Sequence, residues 1–191
     1  MRKDEHQRAA GPQPRHSEYS PVASLDYGMD VLPKAKQHPP GGMIPMEILL
    51  IDDNPGDVRM VRDGLKEVLP AARLSVAIDG VDAVHFLRRE GRYWDAPRPD
   101  LILLDLRLPK KNGFDVLAEI KQDPAFVSIP VVVQTSSRAP IDIHRAYGLH
   151  ANCYITKPND LDEFNRTMRV LAEFWVTIAK LPGCGNERSS A

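Results

Sequence analysis

Two adjacent aspartates, Asp52 and Asp53, a third at Asp105, a hydroxyl at Thr135 and an ammonium at Lys157 each follow a short apolar run. The runs are Ile48-Leu49-Leu50-Ile51, Leu101-Ile102-Leu103-Leu104, Val131-Val132-Val133-Gln134 and Cys153-Tyr154-Ile155-Thr156. Brought together, three carboxylates cannot all stay ionised unaided. At an effective dielectric near 20 and ~4 Å separation, each pair costs on the order of 4 kcal/mol. Either one carboxyl protonates or a cation neutralises the group. Hard oxygen donors without histidine or thiolate favour magnesium over zinc, and a part-hydrated magnesium ion also binds phosphoryl oxygens. An aspartate can attack phosphorus to form an acyl phosphate. Lys157 would then neutralise a carboxylate at rest and a phosphoryl oxygen afterwards, and Thr135 would donate its hydroxyl.

This chemistry requires elements that bring the five groups to one edge. Apolar runs of this length, with helical stretches between them, read as buried parallel strands. In an open parallel sheet the reactive edge lies at the carboxyl ends of the strands. The expected strands are 47–52, 74–78, 100–105, 130–134 and 152–156. The expected helices are 55–69, 81–90, 113–122, 138–148 and 160–180. Asn54 is the expected N-cap of the first helix, with Pro55 at its first position, and residues 91–99 form a loop. Five strand–helix repeats make an α/β fold, a doubly wound five-stranded parallel sheet with helices on both faces.

The chain has 191 residues and a formal net charge of -1, from 25 basic and 26 acidic side chains. That balance gives no reason to expect nucleic acid or an anionic membrane as partner. No apolar run reaches the ~20 residues needed to span a bilayer, and the charged N-terminus does not read as a secretory signal. The two cysteines, Cys153 and Cys184, are unclustered and fit the cytoplasm. Residues 1–45 hold seven prolines and no sustained apolar period, so they are expected to be a disordered extension. Met43 and Met46 offer alternative translation starts, under which this leader is an over-called extension. Residues 46–182 are the expected folded domain and 183–191 a flexible tail. The histidines share no metal-ligand spacing, and His85 and His144 read as helix-surface or boundary residues.

Over residues 46–180 the sequence resembles the receiver domain of two-component response regulators. The resemblance rests on Asp52-Asp53, Asp105, Pro109 and Gly113 in the following loop, Thr135, and Lys157-Pro158. It implies a flavodoxin-like receiver fold, with Asp105 as phosphoacceptor and Lys157 and Thr135 as catalytic groups. Asp52, Asp53, Asp105 and the backbone carbonyl of Arg107 would bind Mg2+. Thr135 and Tyr154 would form a switch, and the Lys157–Pro158 bond would be cis. Within the family, the segments IDDNPGDVRMVRDGL, FLRREGRYWDAPRPDLILLDLRLPKKNGFDVLAEIK and NCYITKPNDLDEFNRTMRVLAEFWVTIAKLP are similar to stand-alone regulators paired with phytochrome histidine kinases. That likeness implies a histidine kinase partner of phytochrome type and a protein that signals without being an enzyme on other molecules. Arg107 and Gln134 depart from the usual pattern, and Gln134 has no functional reading.

Phosphorylation at Asp105 would draw Thr135 inward and let Tyr154 pack inside, changing the surface of the fourth helix and fifth strand. Phe174, Trp175 and Ile178, late in the last helix, are expected to be exposed and to form a homodimer. Val58, Met60 and Val61 are candidates for docking the kinase's histidine helix. Two rival classes fit less well. An aspartate-nucleophile phosphatase would want an aspartate where Arg107 stands, and a cap insertion. A flavin or nucleotide site would want a Gly- or Ser/Thr-rich loop where Asp52-Asp53-Asn54-Pro55 repels phosphate.

Overall fold

The strand-forming runs settle into one sheet because the three at its centre are buried along their whole length and need cover on both faces. In this computed structural model, which describes residues 45–182 except Asn159, β1 (Glu47–Ile51), β2 (Arg73–Ala77), β3 (Leu101–Leu104), β4 (Val131–Thr135) and β5 (Cys153–Thr156) are all parallel. Their order is β2-β1-β3-β4-β5. The helices are α1 (Pro55–Val68), α2 (Gly80–Arg88), α3 (Gly113–Gln122), α4 (Pro140–Gly148) and α5 (Leu161–Glu173). The expected leader, tail and Cys184 lie outside the described residues, apart from Pro45.

The side-chain period of two divides each central strand between two cores. Ile48 and Leu50 of β1 meet Val61 and Leu65 of α1 and Phe164, Met168 and Leu171 of α5 on one face. Leu49 and Ile51 meet Ala83, Phe86 and Leu87 of α2 and Val116, Leu117 and Ile120 of α3 on the other. Polar caps start the helices where the strands end. The Asn54 side chain accepts from Gly56 and Asp57 N–H, and Asp79, Asn112 and Asp160 cap α2, α3 and α5 in the same way. The loop 91–99 holds a short 3-10 turn, Gly91–Tyr93. There Tyr93 packs edge-on against Phe86 with ring centroids 5.2 Å apart.

Three expectations are corrected. The last helix is α-helical only to Glu173; Phe174–Ile178 widens into a π turn, in which Ala179 N–H donates to Phe174 O, five residues back. The hydroxyl of Thr177 also donates to Glu173 O at 2.5 Å, a local side-chain bond of the kind that disturbs regular helix spacing. The Lys157–Pro158 peptide is trans, since no described bond is cis. Both isomers lie within about 1 kcal/mol of each other before proline, and the trans form already lets Lys157 reach the acids. Val61 is fully buried against the sheet, so of the three proposed docking residues on α1 only Val58 and Met60 keep partial exposure. Val61 faces inward because its side chain continues the apolar stripe shared with Leu65. His85 and His144 are exposed, as expected.

Candidate functional site

Asp52 follows the last residue of β1 and Asp105 the last of β3. Their backbones remain tied to the sheet, with Asp52 N–H donating to Ala77 O at 3.0 Å and Asp105 N–H to Ile51 O at 2.9 Å. Lys157 follows β5, and its N–H donates to Thr135 O at 2.8 Å. These three side chains therefore converge at the carboxyl edge of the sheet, as the strand-end spacing predicts.

Lys157 Nζ sits at the centre. It donates to Asp105 Oδ2 at 2.6 Å, to Asp52 Oδ2 at 2.7 Å and to Asp57 Oδ2 at 2.7 Å. The lysine side chain is 9 % exposed and Asp52 only 1 %. The remaining carboxylate oxygens are directed by the backbone: Asp52 Oδ1 accepts from Asn54 N–H at 2.9 Å, and Asp105 Oδ1 from Arg107 N–H at 3.1 Å. Burial alone would lower the Lys157 ammonium, but its bonds to Asp105, Asp52 and Asp57 more than offset this and hold it above the ordinary lysine range. Burial pushes the Asp52 carboxyl up, against the opposing pull of Lys157. Both directions follow from one ammonium shared among several acids.

The carboxylates of Asp52, Asp57 and Asp105 offer oxygens within 4.8 Å of one another. An oxygen-only set with more negative than positive charge suits a hard divalent cation. Asp53 is exposed and stands outside that group. Asp57, in the first turn of α1, takes a place that the spacing of strand ends does not reveal. It is brought to the cluster by the packing of its helix rather than by a strand.

The loop after Asp105 is held close by Gly113, where a Cβ would lie 2.2 Å from Asp105 O and 2.6 Å from Leu106 Cα. Only glycine permits that approach. Thr135 is fully buried at the end of β4. Its Oγ1 accepts from Ser137 N–H at 3.5 Å and, among the described residues, makes no hydrogen bond to the acid cluster. Tyr154 is half-buried on β5, and its hydroxyl donates to Ser137 O at 3.0 Å. Burial raises its phenol pKa. Ser137, which sequence reasoning passed over, thus touches both Thr135 and Tyr154. Its own hydroxyl donates to Asp142 on α4 at 2.5 Å.

Comparison with known proteins bears on the same residues. The family model for the response regulator receiver domain matches residues 48–169. The response regulator Rcp1 of Synechocystis sp. is 44% identical over 138 residues, covering 72% of this chain and 94% of Rcp1. A crystal structure of the phosphorylated cyanobacterial phytochrome response regulator RcpA superposes with a TM-score of 0.70 at 45% identity, over 72% of this chain and 99% of that one. The Mn(2+)-bound form of Rcp1 superposes with a TM-score of 0.69 at 44% identity, covering 72% of this chain and 99% of its own.

Proposed function

The chain belongs to the response regulator receiver family, a family of signalling proteins served by histidine kinases, and from that premise we propose that Asp105 is its phosphoacceptor. The observation that carries this is the 2.6 Å bond from Lys157 Nζ to Asp105 Oδ2, made inside a cluster of acids at the sheet edge. In the reaction a carboxylate oxygen of Asp105 attacks the phosphorus of a phosphohistidine. The new O–P bond forms as the P–N bond breaks, and the electron pair leaves with the imidazole. Lys157 stabilises charge on the phosphoryl oxygens, and the buried hydroxyl of Thr135 turns from its Ser137 contact to donate to one of them. Asp52, Asp53, Asp105 and the Arg107 carbonyl are the proposed holders of Mg2+: Asp52 and Asp105 offer clustered oxygens, Asp53 adjoins Asp52 in the chain and is exposed, and an oxygen-only donor set fits that ion. When bound, it supplies charge neutralisation for the phosphoryl oxygens.

Ser137 supplies the route outward. Movement of Thr135 releases its contact with Ser137, and Tyr154, held by the carbonyl of the same residue, follows. The surface that changes is that of α4 and β5. We assign the phosphodonor to a histidine kinase of phytochrome type, on the likeness to Rcp1 and RcpA. The other assignments are a cytoplasmic location, a partner other than nucleic acid or membrane, and a homodimer through α5. No described helix is long and apolar enough to cross a membrane.

Incubation with Mg2+ and acetyl phosphate, followed by intact-mass measurement, should add one phosphoryl group to the wild type and none to Asp105→Asn. An adduct undiminished in that variant would sink the assignment.

A further inference from the structure

One acid of the cluster lies within reach of the others but is not among the proposed Mg2+ holders and has no role in the reaction above. Asp57 lies in the first turn of α1, with its side chain 18 % exposed and its Oδ2 2.7 Å from Lys157 Nζ. A lysine ammonium has three N–H donors, and Asp52, Asp57 and Asp105 take one each. Two of these three partners are due to change. Asp52 and Asp105 belong to the proposed cation set, and Asp105 also becomes an acyl phosphate. As they turn to new partners, the flexible lysine arm loses two of its three fixed contacts.

Asp57 is the contact left over. Its position is set from outside the sheet edge, because Asn54 caps the same helical turn by accepting from Gly56 N–H at 2.8 Å. The positive end of the helix dipole also lies at this turn. With one N–H given to Asp57, two remain for the phosphoryl oxygens. We propose that Asp57 is a positioning residue for phosphoryl transfer, holding Lys157 Nζ beside Asp105 while Asp52 and Asp105 exchange partners. This rests on the phosphoacceptor reading of Asp105.

The test compares wild type, Asp57→Asn, Lys157→Ala and the double variant, each phosphorylated by acetyl phosphate at saturating Mg2+. Asp57→Asn should slow phosphorylation by about tenfold, and should slow it no further in the Lys157→Ala background, because it acts through that lysine. Mg2+ affinity, titrated calorimetrically without a phosphodonor, should weaken by less than about threefold. A rate for Asp57→Asn equal to that of wild type overturns the inference, as do losses that add in the double variant. Much weaker Mg2+ binding with a normal rate at saturation also overturns it, by making Asp57 a metal ligand.

A second measurement needs no variant of Asp57. The 15N-resolved ammonium resonance of Lys157, assigned by its absence in Lys157→Ala, should persist when Mg2+ saturates the wild type. Broadening of that signal beyond detection on adding Mg2+ would show an unanchored lysine and overturn the inference. A wild type that accepts no phosphoryl group overturns the phosphoacceptor reading and this inference with it. Phosphorylated wild type with an indifferent Asp57→Asn removes the inference alone.

Discussion

Lys157 gathers acids from three elements, the end of β1, the first turn of α1 and the end of β3, so removing the ammonium leaves carboxylates facing one another in a buried site. Another buried polar group has no such compensation. Gln134 on β4 is 1 % exposed, and among the described residues neither its Nε2 nor its Oε1 has a hydrogen-bond partner. A buried amide without partners costs about 1–3 kcal/mol of desolvation, so Gln134→Leu or Gln134→Met should raise stability by about 1–2 kcal/mol. Urea denaturation at neutral pH would measure it, and a loss of stability in both variants would contradict the assignment. Legibility divides along the same lines. Asp52, Asp105 and Lys157 could be read from sequence because each directly follows a strand, and parallel strands end on one edge. Asp57 could not, because its approach to Lys157 depends on how α1 seats against the sheet across 100 residues of chain. The orphaned amide of Gln134 was equally hidden, since no sequence pattern shows whether a polar residue in an apolar strand finds a partner.

At the scale of elements, what positions the site is the set of turns that stop each strand and start the next helix. Asp79 is one such group. It is 3 % exposed, caps α2 by accepting from Asp82 N–H at 2.8 Å, and receives Lys110 Nζ at 2.5 Å. Burial pushes its carboxyl up, but Lys110 and the backbone N–H groups of Asp82 and Val81 outweigh that and hold its pKa below the ordinary value. Its stabilisation is therefore fully present above the unfolded aspartate pKa and is lost as pH falls through the lower folded value. Asp79→Ala should cost about 1–2 kcal/mol at neutral pH, with the gap to wild type closing as the pH drops below about 4. Denaturant melts at several pH values would show this, and a gap that widens in acid would contradict it. Gly113→Ala is the harsher change, since the added methyl meets backbone of Asp105 and Leu106. It should destabilise by several kcal/mol or displace the Asp105 loop, read as a lower melting temperature or as lost phosphorylation. The strands and the Asn54 cap were legible to within about two residues because apolar length and an Asn-Pro helix start are local signals. The end of α5 was not, because the i→i+5 bond at Phe174 is chosen by packing that the apolar period does not encode.

At the scale of the whole molecule, the acid cluster and an apolar groove are built from different residues. Among the described strands β5 pairs only with β4, so it forms one edge of the described sheet. Beside it, a groove of about 610 Å³ runs along α5, lined by Ile155, Val170, Phe174 and Trp175 among others. Val170 is 62 % exposed, Phe174 44 % and Ile178 67 %. Trp175, expected to be exposed as well, is half-buried against the core and meets Phe174 edge-on, with centroids 5.1 Å apart. Cys153 also lines the groove, and burial raises its thiol pKa, which leaves it in the less reactive protonated form. An apolar face of this kind on a receiver domain calls for cover, and in the proposed homodimer a second copy would cover it on both partners at once through a two-fold axis. Val170→Glu combined with Phe174→Glu should therefore shift the sedimenting species from twice the chain mass to the chain mass. Neither residue is among the contacts of the acid cluster, so phosphorylation of the monomeric variant by acetyl phosphate should stay within about twofold of wild type. A wild type that sediments as a monomer at tens of micromolar, well above the dissociation constants typical of stable dimers, would remove α5 as a dimer face. A double variant that still dimerises would place the interface elsewhere on the molecule.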